Sequence, residues 1–107
     1  MKSKKARKND KRKPDLSLIP KIALEKEAEA FMVGESKYGR YNFYNGMEVT
    51  RLISAAQRHL LAYLEGEENC PVDGQHHLAS VRACCAMILK QSELGTLIDN
   101  RYKKGKK

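Results

Sequence analysis

Residues 49–64 read Val49-Thr50-Arg51-Leu52-Ile53-Ser54-Ala55-Ala56-Gln57-Arg58-His59-Leu60-Leu61-Ala62-Tyr63-Leu64. Val49, Leu52, Ile53, Ala56, Leu60, Tyr63 and Leu64 recur at steps of three and four, the signature of a helix with one apolar face. Asn45 followed three residues later by Glu48 resembles a capping box for its start. His59 falls at the edge of the stripe, beside Leu52, Ala56 and Tyr63.

The acidic stretch 65–74, Glu65-Gly66-Glu67-Glu68-Asn69-Cys70-Pro71-Val72-Asp73-Gly74, then breaks the pattern. Asp73 is the expected N-cap of a further helix running to Leu94, with Gly95 as its C′ residue. Its stripe is His77, Leu78, Val81, Cys84, Cys85 and Ile88. So short a loop folds the two helices into an antiparallel hairpin. Upstream, Pro20 suits a first helical turn, and Pro20 to Glu35 reads as another helix with Leu24, Ala28, Phe31 and Met32 on one side. Gly34 and Gly39 bracket its end. Residues 37–46 are rich in aromatics, glycine and asparagine and read as a loop. The expected fold is all-α: a small bundle of three main helices, the first packed across the hairpin of the other two.

The chain has 107 residues and a formal charge of +8, unevenly spread. Residues 1–14 carry +7 and residues 99–107 carry +4, which leaves the body, 15–98, at −3. The two ends read as basic tails, the first disordered, either solvated or making weak, salt-sensitive contact with nucleic acid. No apolar run is long enough to span a membrane, and no apolar segment follows the basic start to make a secretory signal. The three cysteines, Cys70, Cys84 and Cys85, are odd in number and two are adjacent, which argues for a reducing cytoplasm rather than a disulfide framework.

Three constellations have chemical potential. Glu25 and Glu29 lie one helical turn apart, and Glu65, Glu67, Glu68 and Asp73 cluster after the second helix. Convergent carboxylates of this kind suit Mg²⁺, and a triphosphate needs Mg²⁺; the alternative is a solvated acidic face. His59, His76 and His77 sit near helix ends that the hairpin brings together, as satisfied core residues or as a site. A zinc site from Cys70, His76, His77 and Cys84 has no standard ligand spacing. Finally, the rings of 37–46 can stack on a base while Lys37 and Arg40 hold phosphates, unless they merely cover the bundle.

Lys37-Tyr38-Gly39-Arg40-Tyr41-Asn42, Arg58-His59-Leu60, Gly66-Glu67, Asp73-Gly74-Gln75-His76-His77-Leu78 and Ile98-Asp99-Asn100-Arg101 occur here in an order and spacing that resemble a phage-encoded family named for a dATP/dGTP diphosphohydrolase N-terminal domain. The likeness runs from about Leu16 to Arg101. It implies a helical domain similar to MazG-like pyrophosphohydrolases, which cut a dNTP to dNMP and pyrophosphate with carboxylate-held Mg²⁺. On that footing the expected metal ligands are Glu67 and Asp73, with Glu29 facing them. His59 and His77 would orient phosphate or transfer protons, and Arg40 and Arg58 would neutralise developing charge. Lys37, Tyr38, Arg40, Tyr41 and Asn42 would hold a purine deoxynucleotide. Cys70 stands where the family pattern often carries Asp, Cys84 stands where it often carries Asn, and the paired Glu-Glu of the MazG-like first helix is absent. The alternative is therefore a non-catalytic module that binds a nucleotide or a host protein. A phage-encoded protein of this kind would work in the host cytoplasm. Helix one is apolar on more than one side, so a homodimer or higher oligomer is expected.

Overall fold

The computed structural model describes residues 5–103. Three long helices account for the fold: α1, Lys21–Tyr38; α2, Val49–Leu64; and α3, His77–Leu94. Single 3-10 turns occupy Leu16–Leu18 and Asn42–Asn45. Among the described residues there is no strand, so the molecule is all-α as the periodicity requires. Residues 1–4 and 104–107 of the basic tails lie outside the described part.

The hairpin of α2 and α3 forms the centre, but α1 lies against α3 rather than across both helices. The central helix α3 is therefore covered on two sides. One face carries Val81, Cys84 and Ile88 and meets Leu52 and Ala56 of α2, with Met47 and Met87 at the margin. On the other, Arg82 reaches Glu27 of α1 at 3.2 Å, and the buried Ala79 and Ala83 lie near it. Two buried faces explain why no single stripe described α3. Cys85, expected to point inward, is exposed, whereas Ala79, Ala83 and Gln91 are buried.

The boundaries differ from expectation where local chemistry competes. Gly34 sits inside α1, and the helix runs on to Gly39, whose φ of 89° ends it. Lys37 and Tyr38 thus belong to α1 and not to a loop. Asn45 does not cap α2; its amide donates to the carbonyl of Asn42 within the 3-10 turn. The cap comes from the far end of the chain. Val49 N–H donates to the carbonyl of Ile98 at 2.9 Å, and Thr50 N–H to Asn100 Oδ1 at 3.2 Å. Asp73 accepts from Gln75 N–H at 3.0 Å in a turn closed by Gly74, so α3 starts three residues later. Its N-cap is His76, whose Nδ1 accepts from Leu78 N–H at 3.0 Å. Gly95 closes α3 in the left-handed conformation, as its type and place predict.

Candidate functional site

At the loop end of the hairpin, α2 supplies His59 and α3 supplies His77. Their Nδ1 atoms lie 2.8 Å apart, and Nε2 of His77 lies 2.7 Å from Glu67 Oε1. Glu67 accepts from His77 Nε2–H, which leaves His77 Nδ1 facing His59 Nδ1 across one shared hydrogen. The result is a three-member chain, His59–His77–Glu67, with His77 only 3% exposed. Burial first, then the neighbouring His77 and the Arg58 charge, lower the proton affinity of His59, and Asp73 offsets this in part. A second pair, His76 with Glu68 at 3.7 Å, flanks the same loop, and the ring of Tyr63 lies beside that of His76.

At the other end of the hairpin the aromatic segment folds back on α1 and α3. Phe31 contacts Phe43, Phe43 contacts Tyr44, and Tyr44 contacts Tyr41, with ring centroids 4.9–5.3 Å apart. These rings are fixed by backbone. Fully buried Gln91 of α3 donates from Nε2 to the carbonyl of Phe43 at 2.8 Å. Tyr41 itself holds a left-handed φ of 67°, rare for a side chain of its size and a conformation that persists only where surroundings impose it. The result is a cavity of about 690 Å³, lined by Phe31, Tyr38, Arg40, Tyr41, Asn42, Phe43, Tyr44, Met87 and Arg51 among others. Four of the five residues expected to hold substrate line it: Tyr38, Arg40, Tyr41 and Asn42. Lys37 does not; it is exposed at the end of α1. Arg40 pairs with Glu35, which raises the guanidinium's hold on its proton and lowers that of the carboxylate.

Between the two ends runs a smaller groove of about 250 Å³ formed by Thr50, Arg51, Ser54 and Arg58 of α2. Arg51 lines both the groove and the aromatic cavity.

The expected metal ligands do not converge. Among the described residues no three His, Cys, Asp or Glu side chains are grouped to hold a metal ion. Glu29 pairs with Lys26 at 3.4 Å and is half exposed, so it does not face Glu67 and Asp73 within the chain. Glu25 pairs with Lys21 on the same exposed side of α1. The reason is the docking of α1: Glu27 turns toward Arg82 of α3 and Phe31 toward Phe43 in the Asn42–Asn45 turn, which sends Glu25 and Glu29 outward. Glu67 is engaged by His77, and Asp73 by the turn it closes. An oxygen cage of the kind a hard cation needs is therefore not built by these residues in one chain. The zinc combination fails for another reason: Cys84 belongs to the apolar core with Leu52 and Ala56.

Arg51, Ser54, Gln91 and Asn100 escape sequence reading. The spacing of Arg51, Ser54 and Arg58 puts them on one helix face, but only the fold shows that this face abuts the aromatic cavity. Gln91 and Asn100 act across 48 and 50 residues of sequence, where no local pattern points.

The chain belongs to the family described as dATP/dGTP diphosphohydrolase, N-terminal, which matches residues 3–101. A protein of Salmonella phage PMBT28 named dATP/dGTP diphosphohydrolase is 38% identical over 70 residues, 65% of this chain and 24% of that protein. The chain thus spans about a quarter of that relative's length. No solved structure matches it. No helix among the described residues is long and apolar enough to cross a membrane.

Proposed function

We propose that this domain binds purine deoxynucleoside triphosphates and hydrolyses them to the monophosphate and pyrophosphate. The observation that carries the reading is the aromatic cavity, ringed by tyrosines and phenylalanines and bordered by Arg51. A flat base stacks on such rings, and a purine offers more stacking area than a pyrimidine. The dATP/dGTP diphosphohydrolase to which the chain is similar supports the same substrate class.

On this reading the His59–His77–Glu67 chain serves proton transfer. His59, with its lowered proton affinity, is neutral at neutral pH, as a base must be. With Nδ1 bound to His77, its Nε2 accepts a proton from attacking water as the water oxygen bonds to phosphorus. The bridging P–O bond between the α- and β-phosphates breaks, and monophosphate and pyrophosphate separate. His77 and Glu67 hold the ring and stabilise the imidazolium that forms. Mg²⁺ enters as part of the Mg²⁺–triphosphate substrate, in keeping with an ion that commonly binds through one or two carboxylates and substrate phosphates.

The test is thermal unfolding with each dNTP and Mg²⁺, paired with product analysis. The reading expects stabilisation by dATP and dGTP above dCTP and dTTP, with monophosphate and pyrophosphate released. The absence of a three-carboxylate group favours a second reading, a module that binds the nucleotide without cleaving it. Stabilisation without product separates the two.

A further inference from the structure

Five arginines lie between residues 15 and 103, and they fall into two sets. Arg40, Arg82 and Arg101 each pair with a carboxylate: Glu35, Glu27 and Asp99. Arg51 and Arg58 pair with none among the described residues; the one side-chain hydrogen bond of Arg58 goes to Ser54 Oγ at 2.8 Å. These two arginines are seven residues apart on α2, so they share a face and lie about 10 Å apart along the axis. With Thr50 and Ser54 they form the polar groove that opens from the aromatic cavity at Arg51. In a body with a net negative charge, two neighbouring guanidiniums without carboxylates, beside two hydroxyls, present donors suited to an anion. Guanidinium forks and hydroxyl donors are the groups that phosphate oxygens take.

We propose that Arg51, Ser54 and Arg58 form the phosphate subsite of this domain and set the direction of the bound nucleotide. The proposal rests on the reading of the aromatic cavity as the base pocket. The sugar lies at the Arg51 end, and the phosphates run along α2 toward Arg58. The α-phosphate then lies at Ser54, whose hydroxyl Arg58 bonds, and the outer phosphates lie at Arg58, which keeps the attacked phosphorus near His59, the residue after Arg58, whose proton affinity the Arg58 charge helps to lower. The groove thus opens from the aromatic cavity at Arg51 and ends at Arg58, the residue before His59. It also gives a physical basis for preferring a triphosphate, since a monophosphate reaches Ser54 and stops short of Arg58.

Calorimetric titration of the intact protein with dATP, dAMP and inorganic tripolyphosphate tests this, in the wild type and in Arg58→Ala and Arg58→Lys. Both variants alter an exposed side chain, and unchanged circular dichroism melting confirms the fold. The expected result is that wild type prefers dATP to dAMP and binds tripolyphosphate. Arg58→Ala then weakens dATP and tripolyphosphate about ten-fold or more, the loss typical of charge-assisted hydrogen bonds, and leaves dAMP within about three-fold. Arg58→Lys falls between. Equal loss for dATP and dAMP in Arg58→Ala, or no loss for either, overturns the proposal. Arg58-dependent tripolyphosphate binding with no gain from a base would sink the base pocket and keep the groove. Equal binding of dAMP and dATP with no binding of tripolyphosphate would sink the groove and keep the pocket.

Discussion

His59 of α2 and His77 of α3 meet Nδ1 to Nδ1 at 2.8 Å, and the second nitrogen of His77 is held by Glu67. Two imidazoles so placed cannot both be charged without mutual repulsion, and burial already disfavours charge on His59. The folded state therefore binds a proton at His59 less readily than the unfolded chain, whose imidazole titrates near 6.5. Where the unfolded state binds more protons, stability rises with pH. His59 then contributes its full stability above pH 6.5, lost as pH falls through the window beneath it. Chemical denaturation at a series of pH values is expected to show this slope in the wild type, and His59→Gln is expected to remove it. A slope unchanged in His59→Gln would place the titration elsewhere.

The link between Asn100 and Thr50 gives a second prediction. Asn100 accepts from the Thr50 N–H, donates to Thr50 Oγ1 at 2.8 Å and reaches Glu48 at 3.3 Å. It is the side-chain cap of α2, supplied from beyond α3. Asn100→Ala is expected to cost about 1–2 kcal/mol, seen as a melting point lower by roughly 4–8 °C per kcal/mol. Loss of a solvated tail residue would change nothing measurable.

Two glycines are expected to respond in opposite directions to alanine. Gly46 has φ of 98°, and a Cβ there would stand 2.1 Å from the carbonyl oxygen of Thr96. Gly46→Ala is therefore expected to destabilise by more than about 2 kcal/mol. Gly34 lies inside α1 with nothing within 4 Å of its would-be Cβ. Gly34→Ala is expected to stabilise by about 0.5–1 kcal/mol through helix propensity. Denaturant melts of the two variants check both signs.

The unfinished burial of α1 predicts self-association. None of its residues is buried, and Ile22, Leu24 and Met32 are 60%, 49% and 65% exposed. A second copy supplies an equally apolar helix, and pairing across a two-fold axis would cover both. Light scattering is expected to return at least twice the 12.2 kDa chain mass, reduced to the monomer by Ile22→Glu with Met32→Glu. A monomeric wild type at micromolar concentration would contradict this.

The period of α2 is clear in the sequence because its apolar residues recur on one side, of which Val49, Leu52 and Ala56 are buried while Ile53, Leu60, Tyr63 and Leu64 of the same stripe are exposed. The sequence showed α3 poorly because that helix is covered on two sides, and small residues such as Ala79 and Ala83 do not stand out as core. The histidine pair was legible from the hairpin's shortness and from the places of His59 and His77 on their stripes. Glu29 was misplaced because spacing gives the helix face but not the neighbour that face meets. The cap at Asn100 is not legible because its partner is 50 residues away; the cap at His76 is local, from Leu78 N–H, but Asp73 is the more usual capping residue type and draws the expectation to itself.

Hydrolysis between the α- and β-phosphates, with His59 as proton acceptor, has a direct signature in its products. Phosphorus NMR of dATP and Mg²⁺ incubated with the folded wild type, and with His59→Ala, tests it most directly. The expected result is matched growth of dAMP and pyrophosphate in the wild type and, in the variant, a loss of turnover of about 10²-fold or more, the scale of general base catalysis. The variant is expected still to bind dATP. Orthophosphate and dADP as products, or equal turnover in wild type and His59→Ala, would contradict it.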